Sequence, residues 1–347
     1  MELLESKLYQ NDIEYITSLK LPWNKLQNKT VLISGASGMI GSCIIDALLS
    51  KDINVKVIAL GRNEKKARDR FNEYWDLNNF KFLKCDINDS IKEMGNVDFV
   101  IHAASNTHPI QYATDPIGTV TTNIIGTNNL LKYATNHKTE RFLFASSVEV
   151  YGENRGDVEK FKEDYCGYID CNTLRAGYPE SKRAGETLCQ AFIKQNDLDI
   201  VIPRLSRTYG PTMLMSDSKA IAQFIKKGLL KEDIILKSQG TQFYSYTYVV
   251  DAVTALLTIL LKGVCGEAYN ISDDNSNVLL KNLAEIIADY TGKNVVFELP
   301  DEIELAGYSK ATKAILDSKK LQSLGWKSHY DITSGLRRTI EILSYNH

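Results

Sequence analysis

The sequence predicts an α/β fold built on a doubly wound parallel sheet. Three observations predict it. Short apolar runs rich in β-branched residues recur through residues 30–205, stretches with helical apolar spacing alternate with them, and flanking helices are typical of strands buried on both faces. The expected strands are 30–34, 55–60, 81–86, 97–104, 141–147 and 198–205, and expected crossover helices include 42–50, 126–137 and 181–195.

The first expected strand leads into a glycine-rich turn and then a helix, the order of elements in a dinucleotide-binding unit. The glycine spacing is G-x-x-G-x-x-G instead of G-x-G-x-x-G. Small residues let the backbone approach a pyrophosphate, whose negative charge the helix N-terminus favours. Candidate cofactor-binding residues are Gly35, Ser37, Gly38, Met39, Ile40 and Gly41 in this turn, followed by Asp86, Ile87, Ala103, Ala104 and Ser105 after later strands. We therefore expect a Rossmann-type domain.

The end of the second strand bears on the choice of cofactor. An NAD site favours an acidic residue there, because its carboxylate accepts a hydrogen bond from the adenosine ribose 2′-hydroxyl. This chain has Arg62, whose guanidinium suits the 2′-phosphate of NADP(H). The alternative is that Arg62 is a solvated loop residue and Glu64 serves NAD(H). The sequence thus favours NADP(H) and leaves NAD(H) open.

Composition and charge restrict the partners of this chain. Its 347 residues are 44% apolar, and 41 Lys and Arg against 43 Asp and Glu leave a net charge of −2, without the positive excess that nucleic-acid binding requires. The six cysteines lack metal-ligand spacing, so we expect no metal. The N-terminal residues do not resemble a signal peptide, and the most apolar stretch is too short and too polar to span a bilayer. We expect a cytoplasmic protein with no membrane partner.

The alternation of strands and helices weakens beyond the last expected strand, and loops lengthen there. We expect residues 29–205, with a return segment at about 246–272, to form the Rossmann domain. Residues 206–245 and 273–347 are expected to form a smaller C-terminal substrate-binding domain over the carboxyl edge of the sheet, where open α/β folds bind ligands. Residues 1–28 are an N-terminal extension, expected to pack outside the sheet or at a subunit contact.

Three residues suggest the chemistry. Tyr178 and Lys182 lie one helical turn apart, and Ser147 ends the fifth expected strand. Tyrosine is a poor acid–base catalyst near neutrality because its ordinary pKa is about 10. An ammonium group on the same helix face favours the phenolate. Tyr178 can then exchange a proton with a carbinol or carbonyl oxygen that Ser147 holds, while a nicotinamide exchanges a hydride with the carbon that bears this oxygen.

Tyr178-Pro-Glu-Ser-Lys182 is a YxxxK motif, and together with Ser147 and Asn123 it resembles the short-chain dehydrogenase/reductase superfamily. The branch that it resembles is the extended one, which modifies nucleotide sugars, over about residues 29–330. The resemblance implies that Lys182 contacts the nicotinamide ribose and that Asn123 has a supporting catalytic role.

The residues after Ser147 distinguish members of this family. In dTDP-glucose 4,6-dehydratases the stretch that corresponds to residues 147–149 resembles Thr-Asp-Glu. This chain has Val148 in place of the aspartic acid, and valine cannot protonate a leaving hydroxide. The resemblance therefore disfavours dehydration. Two residues resemble those of UDP-glucuronate decarboxylases: Glu149, and Arg175, which lies three residues before Tyr178. Glu149 is expected either to act as a base or to anchor a sugar hydroxyl.

The substrate side departs further from the family. Arg207 stands where the pattern R-x-x-N-x-Y-G-P-R has asparagine, and Tyr244 stands where relatives have an arginine that helps to hold the nucleotide diphosphate. Arg207 either compensates from another direction or forms a structural ion pair. The candidate substrate-binding residues are Thr107, Arg175, Arg207 and Tyr244, and His108 beside Thr107 is an open catalytic candidate.

Two kinds of enzyme share this constellation. Epimerases, decarboxylases and dehydratases oxidise a sugar transiently and reduce it again with the same bound NAD, whereas reductases use exchangeable NADPH. Because Arg62 favours NADP(H) and Val148 disfavours dehydration, the sequence predicts an NADPH-dependent reductase of a nucleotide-linked keto-sugar or ketose. The alternative, supported by Glu149 and Arg175, is an NAD-dependent nucleotide-sugar epimerase or decarboxylase. A non-catalytic dinucleotide sensor is the third hypothesis. The resemblance also implies a homodimer formed through the YxxxK helix and the helix before the fifth strand.

Overall fold

The computed structural model describes residues 3–298, 300, 302 and 311–345. With strands numbered along the chain, the central sheet contains β1 (Thr30–Ser34), β2 (Lys56–Gly61), β3 (Phe80–Lys84), β4 (Phe99–His102), β5 (Arg141–Phe144), β6 (Ser146–Ser147), β7 (Ile200–Leu205) and β11 (Ala268–Ile271). All pair in parallel, in the order β11-β7-β5-β4-β1-β2-β3, with β6 beside β7. The chain runs outward from β1 in one direction and from β4 in the other, which confirms the doubly wound fold class.

Helices cover both faces of this sheet. The helices of the described residues are α1 (Lys7–Ser18), α2 (Met39–Ser50), α3 (Glu64–Arg70), α4 (Pro109–Thr114), α5 (Pro116–Thr121), α6 (Thr127–Asn136), α7 (Gly177–Asn196), α8 (Ala220–Leu229), α9 (Val249–Lys262), α10 (Leu280–Thr291), α11 (Lys319–Gln322) and α12 (Ile332–Ser344). Of these, α8 and α10 pack against each other and the short strands that follow β7. Val31 packs in one core with Ile44 of α2, whereas its neighbour Leu32 packs in a second core with Leu130 of α6 and Cys189 of α7. Consecutive residues of β1 therefore bury opposite faces, as the apolar runs predict.

The six expected strands all form, with shifts at their ends. The run at 141–147 divides into two strands at Ala145. The run at 97–104 shortens to Phe99–His102, because Ala103 and Ala104 leave the sheet and pack against the glycine turn. The sequence analysis placed no helix at residues 109–121, where α4 and α5 form, and it assigned no separate strand to β11.

Short strands beyond β7 form two smaller sheets. They are β8 (Arg207–Tyr209), β9 (Ile234–Leu236), β10 (Phe243–Tyr248), β12 (Asn277–Leu279), β13 (Val295–Phe297) and β14 (Lys313–Ala314). Strand β10 lies between β12 and β14 and also pairs in parallel with β8, while β9 pairs with β13. Apart from the end of β10, which lies in the expected return segment at about 246–272, these strands fall within the residues expected to form the substrate-binding domain, and β8 follows directly from the central sheet.

The N-terminal extension is anchored through a buried carboxylate. Asp12 of α1 is fully buried and accepts hydrogen bonds from the Tyr248 hydroxyl at 2.7 Å, the Tyr330 hydroxyl at 2.8 Å and Arg338 Nε at 2.6 Å. Burial raises the pKa of Asp12 even though these donors oppose the rise. Helix α1 also packs against α2 and α9, so the extension lies outside the central sheet, as expected.

Candidate active site

The glycine turn joins β1 to α2 and packs against the end of β4. Gly35 has a φ of +70°, and a Cβ added there would lie 2.7 Å from the Ala103 carbonyl oxygen and 2.7 Å from the Ala104 nitrogen. A Cβ on Gly41 would lie 2.5 Å from the Gly35 carbonyl oxygen. Only glycine suits these positions without displacing backbone. The structure thus brings together two of the predicted cofactor-binding segments.

The start of α2 has the properties of a pyrophosphate site. Gly38 is the N-terminal cap of this helix, and no side chain of the described residues caps it. A Cβ on Gly38 would meet only the Gly35 carbonyl oxygen, at 3.1 Å, so the space in front of the first helical turn is open to a ligand. Backbone N–H groups at a helix N-terminus favour an anion. The residues present therefore fit a dinucleotide.

Other predicted cofactor-binding residues border this turn. Arg62 follows β2 and is exposed, as is Glu64, so both remain available at the expected adenosine end. The Asp86 carboxylate accepts a hydrogen bond from the Asn88 nitrogen at 3.0 Å. Ile87 is buried, and it lies where a Cβ on Gly126 would meet it at 2.6 Å. Its position beside this glycine is a packing role that the sequence motif does not indicate.

Tyr178 lies at the start of α7 among two serines and a second tyrosine. Its ring stacks on Tyr112 of α4 with the centroids 4.9 Å apart. Burial raises the pKa of Tyr178 to about 12, and hydrogen bonding with the Ser147 and Ser105 hydroxyls opposes the rise. The Tyr178 hydroxyl therefore faces two polar groups able to hold the same sugar oxygen. Ser147 was expected in this role, whereas Ser105 was assigned to the cofactor and Tyr112 was missed.

Lys182 is buried one turn further along α7. Its Nζ donates to the Ala145 carbonyl oxygen at 2.8 Å and lies 4.9 Å from the centroid of the Phe144 ring. Burial lowers the pKa of Lys182 to about 8. Burial raises the pKa of Tyr178 in this structure, and Lys182 is not among the groups that lower it, so the expected effect of this lysine on the phenol stays a prediction. The pKa of Lys182 therefore lies close to neutral pH, where its amino group can gain and lose a proton.

Asn123 connects three elements of the site. It lies in the π-helical segment Thr122–Gly126 between α5 and α6, and widened turns of this kind are frequent at functional sites. Asn123 Nδ2 donates to Ser181 Oγ at 2.9 Å, and Ser105 Oγ donates to Asn123 Oδ1 at 2.7 Å. Asn123 thereby positions the segment after β4 against the helix that carries Tyr178, which agrees with the expected supporting role.

Glu149 lies between two arginines. Arg175 Nη2 donates to Glu149 Oε2 at 2.8 Å, and Arg207 Nη2 lies 3.7 Å from Glu149 Oε1. Burial alone would raise the pKa of Glu149, but the two guanidinium groups prevail and lower it. Glu149 is therefore held as a carboxylate, a weak base that suits anchoring better than proton abstraction.

The two arginines rest on aromatic rings. The Arg175 guanidinium lies 4.7 Å from the centroid of Tyr112, and that of Arg207 lies 3.3 Å from the centroid of Tyr244. The Tyr244 hydroxyl donates to the Ala311 carbonyl oxygen at 2.6 Å. Because Tyr112 also stacks on Tyr178, the arginine cluster is joined to the catalytic tyrosine through one aromatic ring.

Thr107 and His108 contact the segment before α8. Lys219 Nζ donates to Thr107 Oγ1 at 3.3 Å, and His108 Nδ1 lies 3.0 Å from Asp217 Oδ1. Burial opposes ionisation of Asp217, but His108 and Lys219 hold its pKa well below the usual range. Within the described residues, no group of His, Cys, Asp or Glu side chains has the geometry of a metal site.

A Rossmann-type sheet with Ser147, Tyr178 and Lys182 at its carboxyl edge defines a nicotinamide-dependent enzyme of the extended short-chain dehydrogenase/reductase class. The chain belongs to the NAD dependent epimerase/dehydratase family, whose sequence model matches residues 31–272. Two curated relatives illustrate the similarity. UDP-glucuronic acid decarboxylase 1 of Danio rerio is 30% identical over 91% of this chain and 73% of its own length, and UDP-glucuronic acid decarboxylase 5 of Arabidopsis thaliana is 29% identical over 89% and 87%.

Solved structures share the fold. The dTDP-glucose 4,6-dehydratase DesIV of Streptomyces venezuelae, with NAD and TYD bound, superposes with a TM-score of 0.79 at 24% identity over 91% of this chain and 97% of its own. The UDP-glucuronic acid 4-epimerase of Bacillus cereus, in complex with UDP-glucuronic acid and NAD, superposes with a TM-score of 0.79 at 22% identity over 92% and 100%.

These comparisons decide between some of the sequence-based expectations. The resemblance to the extended family is confirmed. The relatives support the internal-redox alternative and not the NADPH-dependent reductase, and the NADP(H) preference inferred from Arg62 has no support among structures that hold NAD. Among the described helices, none is long and apolar enough to cross a membrane. The homodimer and the cytoplasmic location stay predictions.

Proposed function

We propose that this chain is an NAD-dependent decarboxylase of a nucleotide-linked uronic acid, working by internal oxidation and reduction. The observation that carries the proposal is the continuous contact from Tyr178 through Tyr112 to Arg175 and Glu149. It joins a group for proton transfer to a positively charged cluster suited to an acidic sugar. The similarity to UDP-glucuronic acid decarboxylases supports the same substrate class.

The protein's contribution begins with the sugar hydroxyl that is to be oxidised. Ser147 and Tyr178 would hold its oxygen. Neutral Lys182, whose pKa is about 8, would receive the phenolic proton of Tyr178, and the phenolate would take the proton of the sugar hydroxyl. When bound at the glycine turn, NAD supplies the acceptor for the hydride and later returns it, so that no net cofactor is consumed.

Oxidation of the hydroxyl on the carbon next to the one that bears the carboxylate produces a β-keto acid. Its C–C bond to the carboxylate breaks, CO₂ leaves, and the electron pair moves into the carbonyl to give an enolate. A hydrogen bond from the Tyr178 hydroxyl stabilises the charge developing on that oxygen. Protonation of the carbon and reduction of the carbonyl complete the cycle, with Tyr178 returning the proton to the oxygen.

Glu149 is proposed as an anchor for the substrate and for both arginines. Its lowered pKa keeps it ionised, so it can accept a hydrogen bond from a sugar hydroxyl while Arg175 remains oriented. A carboxylate held in this way is a poor base. This assignment favours the second of the two roles expected for Glu149.

The test uses the purified enzyme with UDP-glucuronic acid and catalytic NAD⁺. We expect loss of CO₂ and a pentose product by mass spectrometry and NMR, with no net change in NADH absorbance. A product of unchanged mass would identify an epimerase instead. Stoichiometric NADPH consumption with a keto-sugar would establish the reductase hypothesis, and cofactor binding without turnover of any sugar would establish a sensor.

Cofactor identity is tested independently of turnover. We propose NAD(H) as the resident cofactor, with Glu64 or a backbone group serving the ribose and Arg62 remaining in solvent. Mass spectrometry of the ligand released on denaturing the purified protein should show NAD. Recovery of NADP, together with its loss in an Arg62→Ala variant, would overturn this assignment and restore the preference predicted from the sequence.

A further inference from the structure

The arginine cluster beside Tyr178 carries more positive charge than the residues around it neutralise. Among the residues that the structure describes, Arg175 and Arg207 face a single carboxylate, that of Glu149, which leaves one guanidinium charge in excess. The three side chains are only 14%, 19% and 19% exposed, respectively. An unneutralised charge so removed from water is unfavourable unless a ligand of opposite charge completes the cluster.

The cluster also has hydrogen-bond donors without acceptors in the part of the chain that the structure describes, which likewise indicates that an anion is missing. Arg175 Nε, Arg175 Nη1 and Arg207 Nη1 are buried and have no hydrogen-bond partner among the described residues. Buried polar groups are ordinarily paired, so several unpaired donors gathered around one carboxylate indicate a missing acceptor. The acceptor must be anionic to match the excess charge, and a carboxylate or phosphate matches the forked geometry of guanidinium groups.

The position of Arg207 explains how the cluster is built in this chain. Strands β8 and β10 are parallel neighbours in which Arg207 lies opposite Tyr246, and Tyr244 is two residues earlier on β10, with its side chain on the same face. The Arg207 guanidinium lies over the Tyr244 ring at 3.3 Å from its centroid. The family pattern described above has asparagine at position 207 and arginine at position 244. The guanidinium is thus supplied from the neighbouring strand, and an aromatic ring supports it.

We propose that Arg207 is a specificity-determining residue which, together with Arg175, binds the carboxylate of the sugar, a role different from that of the diphosphate-holding arginine that relatives carry at position 244. This inference rests on the proposed function, since it names the residue that selects the acidic sugar of that reaction. Glu149 contacts both guanidinium groups through different oxygens and so holds them beside one another, with donors of each left unpaired by the described residues. Tyr244 is the aromatic support, with its hydroxyl fixed by the Ala311 carbonyl oxygen.

Proximity to the chemistry favours the sugar carboxylate over the nucleotide diphosphate. Arg175 precedes Tyr178 by three residues, and Tyr112 contacts both of their side chains. Glu149 follows Ser147 by two residues and donates its backbone N–H to the Ser147 hydroxyl at 3.3 Å. The cluster therefore adjoins the two groups that would hold the reacting sugar.

The experiment measures binding by calorimetry to the cofactor-loaded enzyme, with UDP-glucuronic acid, UDP-glucose and UDP as probes. Arg207→Asn should weaken UDP-glucuronic acid by about 100-fold and leave UDP-glucose and UDP within about 3-fold. In the double variant Arg207→Asn/Tyr244→Arg, an arginine at position 244 would serve the diphosphate that all three probes share, so the selective loss for UDP-glucuronic acid should persist. The matched control is Arg155→Asn, which removes an arginine stacked 3.9 Å from the centroid of Tyr168 and should change none of the affinities.

Other outcomes overturn the inference. Equal losses for all three probes would assign Arg207 to the diphosphate, and unchanged affinities with a lowered melting temperature would make it a structural ion pair. If Arg207→Asn does not fold, Arg207→Lys keeps the charge without the fork and should show the same selective loss in weaker form. Because the readout is binding, selective loss without decarboxylation would refute the proposed function and still support the role of Arg207.

Discussion

Replacing Gly35 with alanine should damage the cofactor turn through two separable effects. The first is the φ of +70°, which disfavours a residue with a Cβ by about 1 kcal/mol. The second is contact, because the added Cβ would lie 2.7 Å from backbone atoms of both Ala103 and Ala104. Backbone cannot move aside as a flexible side chain does. We expect a total loss of about 3 kcal/mol in the free energy of unfolding, within the range of severe single substitutions.

The chain offers a control that isolates the first effect. Gly292 has a φ of +67°, and a Cβ there would meet nothing within 4 Å, so Gly292→Ala should cost only about 1 kcal/mol. Urea unfolding followed by tryptophan fluorescence measures both variants. Calorimetric titration with NAD⁺ should show that Gly35→Ala loses affinity and Gly292→Ala retains it. Equal destabilisation of the two variants would refute the close packing of β4 against the turn.

Three further predictions concern the chemical end of the site. Tyr178→Phe should lower kcat by about 1,000-fold while NAD⁺ affinity, measured by calorimetry, is unchanged, because only the proton-transfer group is removed. Asn123→Ala should cost about 2 kcal/mol in urea unfolding and reduce kcat, since it removes one buried hydrogen bond from each of Ser105 and Ser181. Glu149→Gln should destabilise the protein by about 2 kcal/mol near pH 7 and by much less near pH 3, as measured by unfolding at each pH.

The sign of the last prediction follows from the lowered pKa of Glu149. A carboxyl whose folded pKa lies below its ordinary value contributes stability above the unfolded pKa, and that contribution is lost as the pH falls through the folded pKa. A constant difference across pH would contradict the two-arginine arrangement. Substantial turnover by Tyr178→Phe would contradict the acid–base role, and an Asn123→Ala variant with full activity would show that the Ser105 contact does not position catalytic groups.

The parts of the site that the sequence predicted are those in which neighbouring residues act together. Gly35 and Gly38 belong to one turn, and Tyr178 and Lys182 belong to one helix, so their spacing along the chain determines their spacing in the structure. The strands were predictable for a similar reason, because burial on both faces leaves a continuous apolar run. Helix α7 begins at Gly177, a few residues before the apolar pattern that predicted a helix at 181–195, and Pro179 lies in its first turn, where proline is tolerated.

The remainder of the site depends on contacts between distant segments. Nothing near Tyr112 in the sequence indicates that its ring stacks on Tyr178, and the Arg175–Glu149 pair joins residues 26 positions apart. The raised pKa of Tyr178 could not be predicted from the sequence, because the burial that causes it is determined by the whole fold. Spacing on a helix identifies only the neighbour that favours the phenolate. Arg207 and Tyr244 lie on two neighbouring strands, and no pattern within either strand shows that the guanidinium stacks on the ring.

The N-terminal extension connects these distant segments to the site. Asp12 of α1 holds the Tyr248 hydroxyl at the end of β10, and the same carboxylate accepts from Arg338 of α12. Tyr244, the support of Arg207, lies near the start of that same strand. The extension therefore anchors the end of the strand whose start carries the ring that supports Arg207, although its sequence carries no motif of the family.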